Sequence, residues 1–144
     1  MEIEKKYLIS SLPDNLDSFD HVEIKQGYLS VSPVIRIRHK GDKAFLTYKG
    51  SGMMAREEIE KEIPVETFEH LVPKIDGRLI EKVRYKIPYD KYIIELDIFH
   101  GHKEGLIMAE VEFPSIEEAD SFTPPSWFSK EVTLDRAYHN SNMI

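Results

Sequence analysis

The sequence predicts an α+β fold: a closed, eight-stranded antiparallel β-barrel with a few short helices outside it and at one end. Three observations lead there. Apolar and polar residues alternate with period two at 2–9, 34–39, 44–49, 56–63, 80–87, 92–99 and 107–113, and more weakly at 22–29, which makes eight strands. Turn residues sit between neighbours, at Gly41-Asp42, Gly50-Ser51-Gly52, Pro88-Tyr89-Asp90 and Gly101 to Gly105, and links this short cannot make parallel crossovers. One face of strand after strand is charged, and eight strands closing with that face inward remove the sheet edges and form a polar tunnel.

Taken in order, 2–9 places Glu2, Glu4, Lys6 and Leu8 on one face and Ile3, Lys5, Tyr7 and Ile9 on the other. Strand 22–29 places Tyr28 on the face of Gln26. Strand 34–39 sets Arg36 and Arg38 against Ile35 and Ile37, and 56–63 sets Arg56, Glu58, Glu60 and Glu62 against Ile59 and Ile63. Lys82, Arg84 and Lys86 oppose Val83, Tyr85 and Ile87; Glu95 and Asp97 oppose Ile94, Leu96 and Ile98; Glu110 and Glu112 oppose Ala109, Val111 and Phe113. Helices are expected at Leu12 to Phe19, Val65 to Val72, Ile116 to Phe122 and Asp135 to Met143, the last starting on an Asp cap.

At 144 residues the chain is read as one domain, 1–144, with 41% hydrophobic residues for its core. Nineteen Lys and Arg against 26 Asp and Glu leave a net charge of −7, the wrong sign for coating nucleic acid or an anionic membrane. The absence of cysteine removes disulfides, thiolate zinc sites and cysteine nucleophiles together. With acids where a signal peptide carries positive charge and no apolar run near the roughly 20 residues of a membrane span, a soluble cytoplasmic protein is expected. The sequence carries no signal for oligomeric state.

A charged sheet face is ordinarily a solvated face. Here, however, the signs do not mix along a strand: Arg36/Arg38 and Lys82/Arg84/Lys86 are wholly basic, and Glu58/Glu60/Glu62, Glu95/Asp97 and Glu110/Glu112 wholly acidic. Like charges two residues apart repel, so a chain that keeps them points to a multivalent ligand of opposite sign. Gathered Arg and Lys suit phosphate oxygens. Gathered carboxylates without cysteine or an organised histidine set suit Mg²⁺ or Mn²⁺. Both in one cavity imply a metal-chelated polyphosphate.

The residues that carry a family resemblance are Glu2-x-Glu4-x-Lys6, Gln26-Gly27-Tyr28-Leu29, Arg36-x-Arg38, Thr47-Tyr48-Lys49-Gly50, Arg56-x-Glu58-x-Glu60, Glu81 to Lys86, Glu95-x-Asp97, Ala109 to Glu112 and Lys130 to Thr133. In this order they resemble the CYTH superfamily of triphosphate tunnel metalloenzymes, and the compact length is similar to its short bacterial inorganic triphosphatases. The resemblance implies that Glu2, Glu4, Glu110 and Glu112 hold a divalent metal, with Asp97 as a further contact. It implies that Glu58 and Glu60 help to hold a second ion and its water. Lys6, Arg36, Arg38, Lys49, Lys82 and Arg84 would bind the triphosphate, with Lys6 also in the catalytic set beside Glu58 and Glu60. Glu62, Lys86, Glu95 and Lys130 would line the tunnel, Lys86 and Lys130 on the substrate's side.

The activity this implies is metal-dependent hydrolysis of the terminal phosphate of a triphosphate, tripolyphosphate before ATP. The competing readings are a class IV adenylate cyclase, a thiamine triphosphatase and a non-catalytic polyphosphate- or nucleotide-binding barrel. Only Gln26 and Tyr28 are on the inward parity and available to adenine, a poor base pocket. His100 and His102 are expected in an exposed turn, and Trp127 as a packing anchor. Tyr7, Tyr48, Tyr85 and Tyr92 are expected on the outer face.

Overall fold

The computed structural model describes residues 3–50 and 57–144. Nine strands form one antiparallel sheet: β1 (Ile3–Ile9), β2 (Asp20–Val31), β3 (Val34–Lys40), β4 (Lys43–Lys49), β5 (Glu58–Ile63), β6 (Asp76–Tyr89), β7 (Tyr92–His100), β8 (Ile107–Phe113) and β9 (Phe128–Glu131). Their order is β5-β4-β3-β2-β6-β7-β8-β1-β9. The expected closed eight-stranded barrel is therefore corrected to an open nine-stranded sheet with β5 and β9 as its edges. Two causes are visible. Phe128–Glu131, too short to show an alternation, adds to β1 through the pair Tyr7↔Glu131 and a hydrogen bond from Val132 N to Lys6 O at 2.8 Å. At the other edge, Glu58, Glu60 and Glu62 are exposed, and a row of like charges repels a further strand.

The sheet curls without closing. Register shifts on both sides of Tyr28 mark bulges in β2, and a bulge bends its strand. Gly27 lies at this bend, where a Cβ would meet side-chain carbons of Ile75 at 2.9 Å. The long β2–β6 pair runs from Asp20↔Lys86 to Tyr28↔Asp76, extending both strands beyond their alternating stretches. Pro88 is tolerated in β6 because it lies beyond the β2 pairing, where that side of the strand needs no donor.

The convex face carries the apolar halves of the strands. Tyr7, Ile87, Ile94, Leu96, Val111, Phe113 and Phe128 form one core, with Tyr85, Tyr92 and Phe122 packed on it, and α2 (Ile116–Asp120) covers it with Ala119. Ile37, Ala44 and Phe68 form a second under α1 (Val65–Leu71). Trp127 packs its ring on Phe128, centroids 4.8 Å apart, and its carbonyl accepts from Ser10 N. The expected helix from Leu12 is reduced to a 3₁₀ turn at Leu16–Ser18, because Asn15 takes a left-handed conformation, φ 60°, that no helix can run through.

The expected terminal helix is also absent. Two 3₁₀ turns, Arg136–Tyr138 and Asn140–Asn142, flank an extended His139. Asp135 caps Ala137 N, and Asn142 Nδ2 bonds Arg136 O, local bonds that compete with the helix ladder. This tail closes one end of the concave face: Met143 and Val132 are buried there with Tyr28, Ile80, Phe99 and Met108. His102 belongs to the same device. It is half-buried, contrary to the expected exposed turn, and its Nε2 lies 2.7 Å from Met143 O. No helix among the described residues is long and apolar enough to cross a membrane.

Candidate functional site

Register alone gathers the charged residues. Glu58 and Glu60 on β5 face Lys49 and Thr47 on β4; Thr47 faces Arg36 on β3; Arg36 and Arg38 face Tyr28 and Gln26 on β2. Beyond the bend, Arg84 and Lys86 on β6 face Asp97 and Glu95 on β7; Glu95 faces Glu110 on β8; Glu110 and Glu112 face Lys6 and Glu4 on β1. All lie on the concave face. The curl then brings distant strands together: Glu4 and Lys6 line one cleft of about 400 Å³ with Tyr28, Arg36, Lys49, Thr133 and His139. A larger cleft, about 660 Å³, lies between the β6–β7 turn and α2, and its one cation, Lys91, is already paired with Glu118, which also accepts from Tyr92.

The β6–β7 wall is a buried ion cluster. Arg84 donates two parallel hydrogen bonds to Asp97, 2.8 and 2.9 Å, and a third to Glu95 Oε2 at 3.3 Å. Lys82 Nζ lies 2.9 Å from Asp97 Oδ2 with its side chain wholly buried. Burial alone would raise the Asp97 carboxyl, yet the charge of Lys82 and the hydrogen bonds of Arg84 outweigh it and hold it below the usual range. For Lys82 burial wins and lowers the ammonium, with Asp97 opposing. Both Asp97 oxygens, assigned from sequence to a metal, are here engaged by Lys82 and Arg84.

The β2–β4 wall is less compensated. Arg36 NH2 donates to Thr47 Oγ1 at 3.3 Å, and Thr47 in turn donates to Glu60 Oε1 at 2.9 Å. Arg38 Nε donates to Gln26 Oε1 at 2.9 Å and has no ion pair among the described residues. Burial, then the like charges of Arg36 and Arg84, pushes the Arg38 guanidinium down to about 10. Lys40 is lowered in the same way, by burial and then by Lys86, Arg84 and Arg38.

Of the other residues expected from sequence, Lys6 Nζ sits 4.0 Å from both Glu4 and Glu110. Glu2 and Arg56 lie outside the described residues. Lys130 is exposed on edge strand β9, with no ion pair or hydrogen bond to the cluster among the described residues. Three site residues were missed. Lys40 shares the parity of Arg36 and Arg38, one step past the end of the 34–39 alternation; Thr47 shares that of Lys49. Gln26, on the inward parity, reads from sequence as a base contact alone, and Tyr28 beside it is buried in the end plug.

The carboxylates fit a hard divalent cation in kind. Glu4 stands opposite Glu112 and Glu95 opposite Glu110, like-charge pairs that repel across a ladder and offer only oxygen. They are not drawn into a ready cage: no three acidic or imidazole groups converge as a metal site among the described residues.

A curled antiparallel sheet with basic and acidic walls facing one cavity is the arrangement of a protein that grips a polyanion. The CYTH domain model matches residues 1–138, and the chain belongs to that family. It is 43% identical over 144 residues to an inorganic triphosphatase of Nitrosomonas europaea, covering 96% of this chain and 93% of that one. It is 40% identical over 151 residues to an inorganic triphosphatase of Acetivibrio thermocellus, covering 99% and 92%. The solved inorganic triphosphatase NE1496 superposes with a TM-score of 0.82 at 38% identity over 99% of this chain and 93% of that one. A putative adenylyl cyclase from Hippeastrum, described as having dominant triphosphatase activity, shares the fold at a TM-score of 0.62 and 19% identity, over 84% and 83%.

Proposed function

We propose that this chain is a divalent-metal-dependent inorganic triphosphatase that splits tripolyphosphate into phosphate and pyrophosphate. The observation that carries it is the cleft in which Glu4 and Lys6 of β1 meet Arg36 and Lys49 of β3 and β4. Carboxylates and cations from opposite ends of the sheet order face a shared space. Arg36, Arg38, Lys49, Lys82, Arg84 and Lys86 would bind phosphate oxygens and neutralise charge that grows on the leaving oxygens in the transition state. Lys130 would stand at the rim. Lys6, between Glu4 and Glu110, would hold a non-bridging oxygen against the acidic wall. Glu60, oriented by Thr47, would accept the proton of the attacking water, with Glu58 beside it. The end plug of Val132, Tyr138 and Met143 keeps bulk water and bulky leaving groups out of one end.

Two Mg²⁺ or Mn²⁺ ions, held by Glu2, Glu4, Glu110 and Glu112 on one side and by Glu58 and Glu60 on the other, would supply charge neutralisation and an acidified water. Asp97 is better placed to orient Lys82 and Arg84. The whole of 1–144 would serve as one unit, since the charged face draws on strands from both ends of the chain.

The test is a panel of tripolyphosphate, ATP and thiamine triphosphate with each metal, reading phosphate, pyrophosphate and cyclic AMP. Tripolyphosphate is expected to have the highest specificity constant, and excess chelator to abolish turnover. An equal or higher constant for ATP, or cyclic AMP formation, would move the assignment to a nucleotide-directed enzyme. Tight binding without turnover would leave a non-catalytic polyphosphate-binding protein.

A further inference from the structure

Gln26 is wholly buried on the concave face, beside Arg38 in the β2–β3 ladder. Its orientation is settled by its neighbour. Arg38 Nε can only donate, so the atom it meets at 2.9 Å is the amide oxygen, and Nε2 must point elsewhere. That Nε2 is buried and has no hydrogen-bond partner among the described residues. A buried amide N–H left without an acceptor is unfavourable, because it has lost its water and gained nothing in return. Arg84, by contrast, is met by two carboxylates.

We propose that Gln26 is a substrate-positioning residue: it holds Arg38 by a neutral contact that leaves the guanidinium charge uncancelled, and presents its own Nε2 to the same phosphate group. The inference rests on the triphosphatase reading and extends it to a residue that reading does not use. If the fold needed only to anchor Arg38, a glutamate of nearly the same size would do so more strongly, by pairing with it. A glutamine anchors without neutralising. Arg38 then waits half-buried between Arg36 and Arg84, repelled by both, until an anion arrives. A phosphate oxygen supplies both missing partners, a counter-charge for Arg38 and an acceptor for Nε2.

Gln26→Glu separates this from a merely structural role, because a carboxylate would hold Arg38 at least as well. Tripolyphosphate binding is measured by calorimetry in metal-free buffer, alongside steady-state kinetics with Mg²⁺ and thermal unfolding without ligand. Gln26→Glu is expected to weaken binding and raise KM by roughly tenfold or more, with an unfolding midpoint equal to or above wild type. Gln26→Met, which removes the amide and keeps the bulk, is expected to weaken binding roughly threefold to tenfold. Wild-type affinity in Gln26→Glu would overturn the proposal; if that variant does not fold, wild-type affinity in Gln26→Met does so. Wild-type protein that neither binds nor hydrolyses tripolyphosphate overturns the functional reading itself, whereas normal wild-type turnover with unaffected variants overturns only the role of Gln26.

Discussion

On β6 and β7, Lys82 and Arg84 are folded in ion pairs with Asp97 and Glu95; on β3, Arg38 and Lys40 have no ion pair among the described residues. Asp97 spends both oxygens on the first pair, and Glu95 adds a third contact. Arg38 has a neutral amide, and Lys40 faces Lys86 and Arg84. The same residue types therefore do two jobs. The first wall is part of the fold's internal structure and positions two cations rigidly. The second is paired only through Arg36 and Glu60, 3.8 Å apart, among the described residues, and under the proposed reading an anionic ligand would relieve the rest.

The comparison breaks most directly at Asp97. Asp97→Ala leaves two buried cations uncompensated and is expected to cost about 3–5 kcal/mol of stability, measured by urea unfolding. A loss below about 1 kcal/mol would mean that the cluster is not structural. Arg38→Ala should behave in the opposite manner. It is expected to lower kcat/KM by about 100-fold, roughly 2–3 kcal/mol of transition-state stabilisation, while the unfolding midpoint holds or rises. Parallel loss of stability would erase the distinction between the walls.

Acid sharpens the same contrast. Because the Asp97 carboxyl is lowered on folding, the stability it contributes is complete above its ordinary value of 3.8 and is lost as pH falls below that. The slope is at most about 1.4 kcal/mol per pH unit for one group. Asp97→Asn should flatten the stability profile in that window, and an unchanged profile would remove Asp97 as its source. The smallest expected effect is at Thr47. Thr47→Val removes the donor to Glu60 and the acceptor for Arg36, and should cost about 1 kcal/mol in kcat/KM, mostly in kcat. Thr47→Ser should restore it; a serine variant as poor as the valine would show that the methyl group, not the hydroxyl, matters.

Much of this site was legible because strand parity is a local property. Glu4, Lys6, Arg36, Arg38, Lys82, Arg84, Glu110 and Glu112 alternate with apolar residues, and alternation assigns a face without knowledge of the fold. Lys40 was lost to a strand boundary and Thr47 to the louder charge of Lys49. The four-residue β9 is too short to show an alternation. The tail was misjudged because Asp135 and the asparagines after it satisfy the backbone locally.

By itself the sequence determined which side chains share a face, the antiparallel direction of neighbouring strands and the chemistry the charged face can perform, since all of these follow from a two-residue period, short links and residue type. Only the tertiary structure decided that the sheet stays open, that β9 lies beside β1, and that Asp97 serves Lys82 and Arg84. It also decided which cations carry counter-ions, leaving Gln26 to hold Arg38. These depend on register between strands far apart in the chain and on the bend at Gly27, where a shift of one residue would turn every partner to the other face.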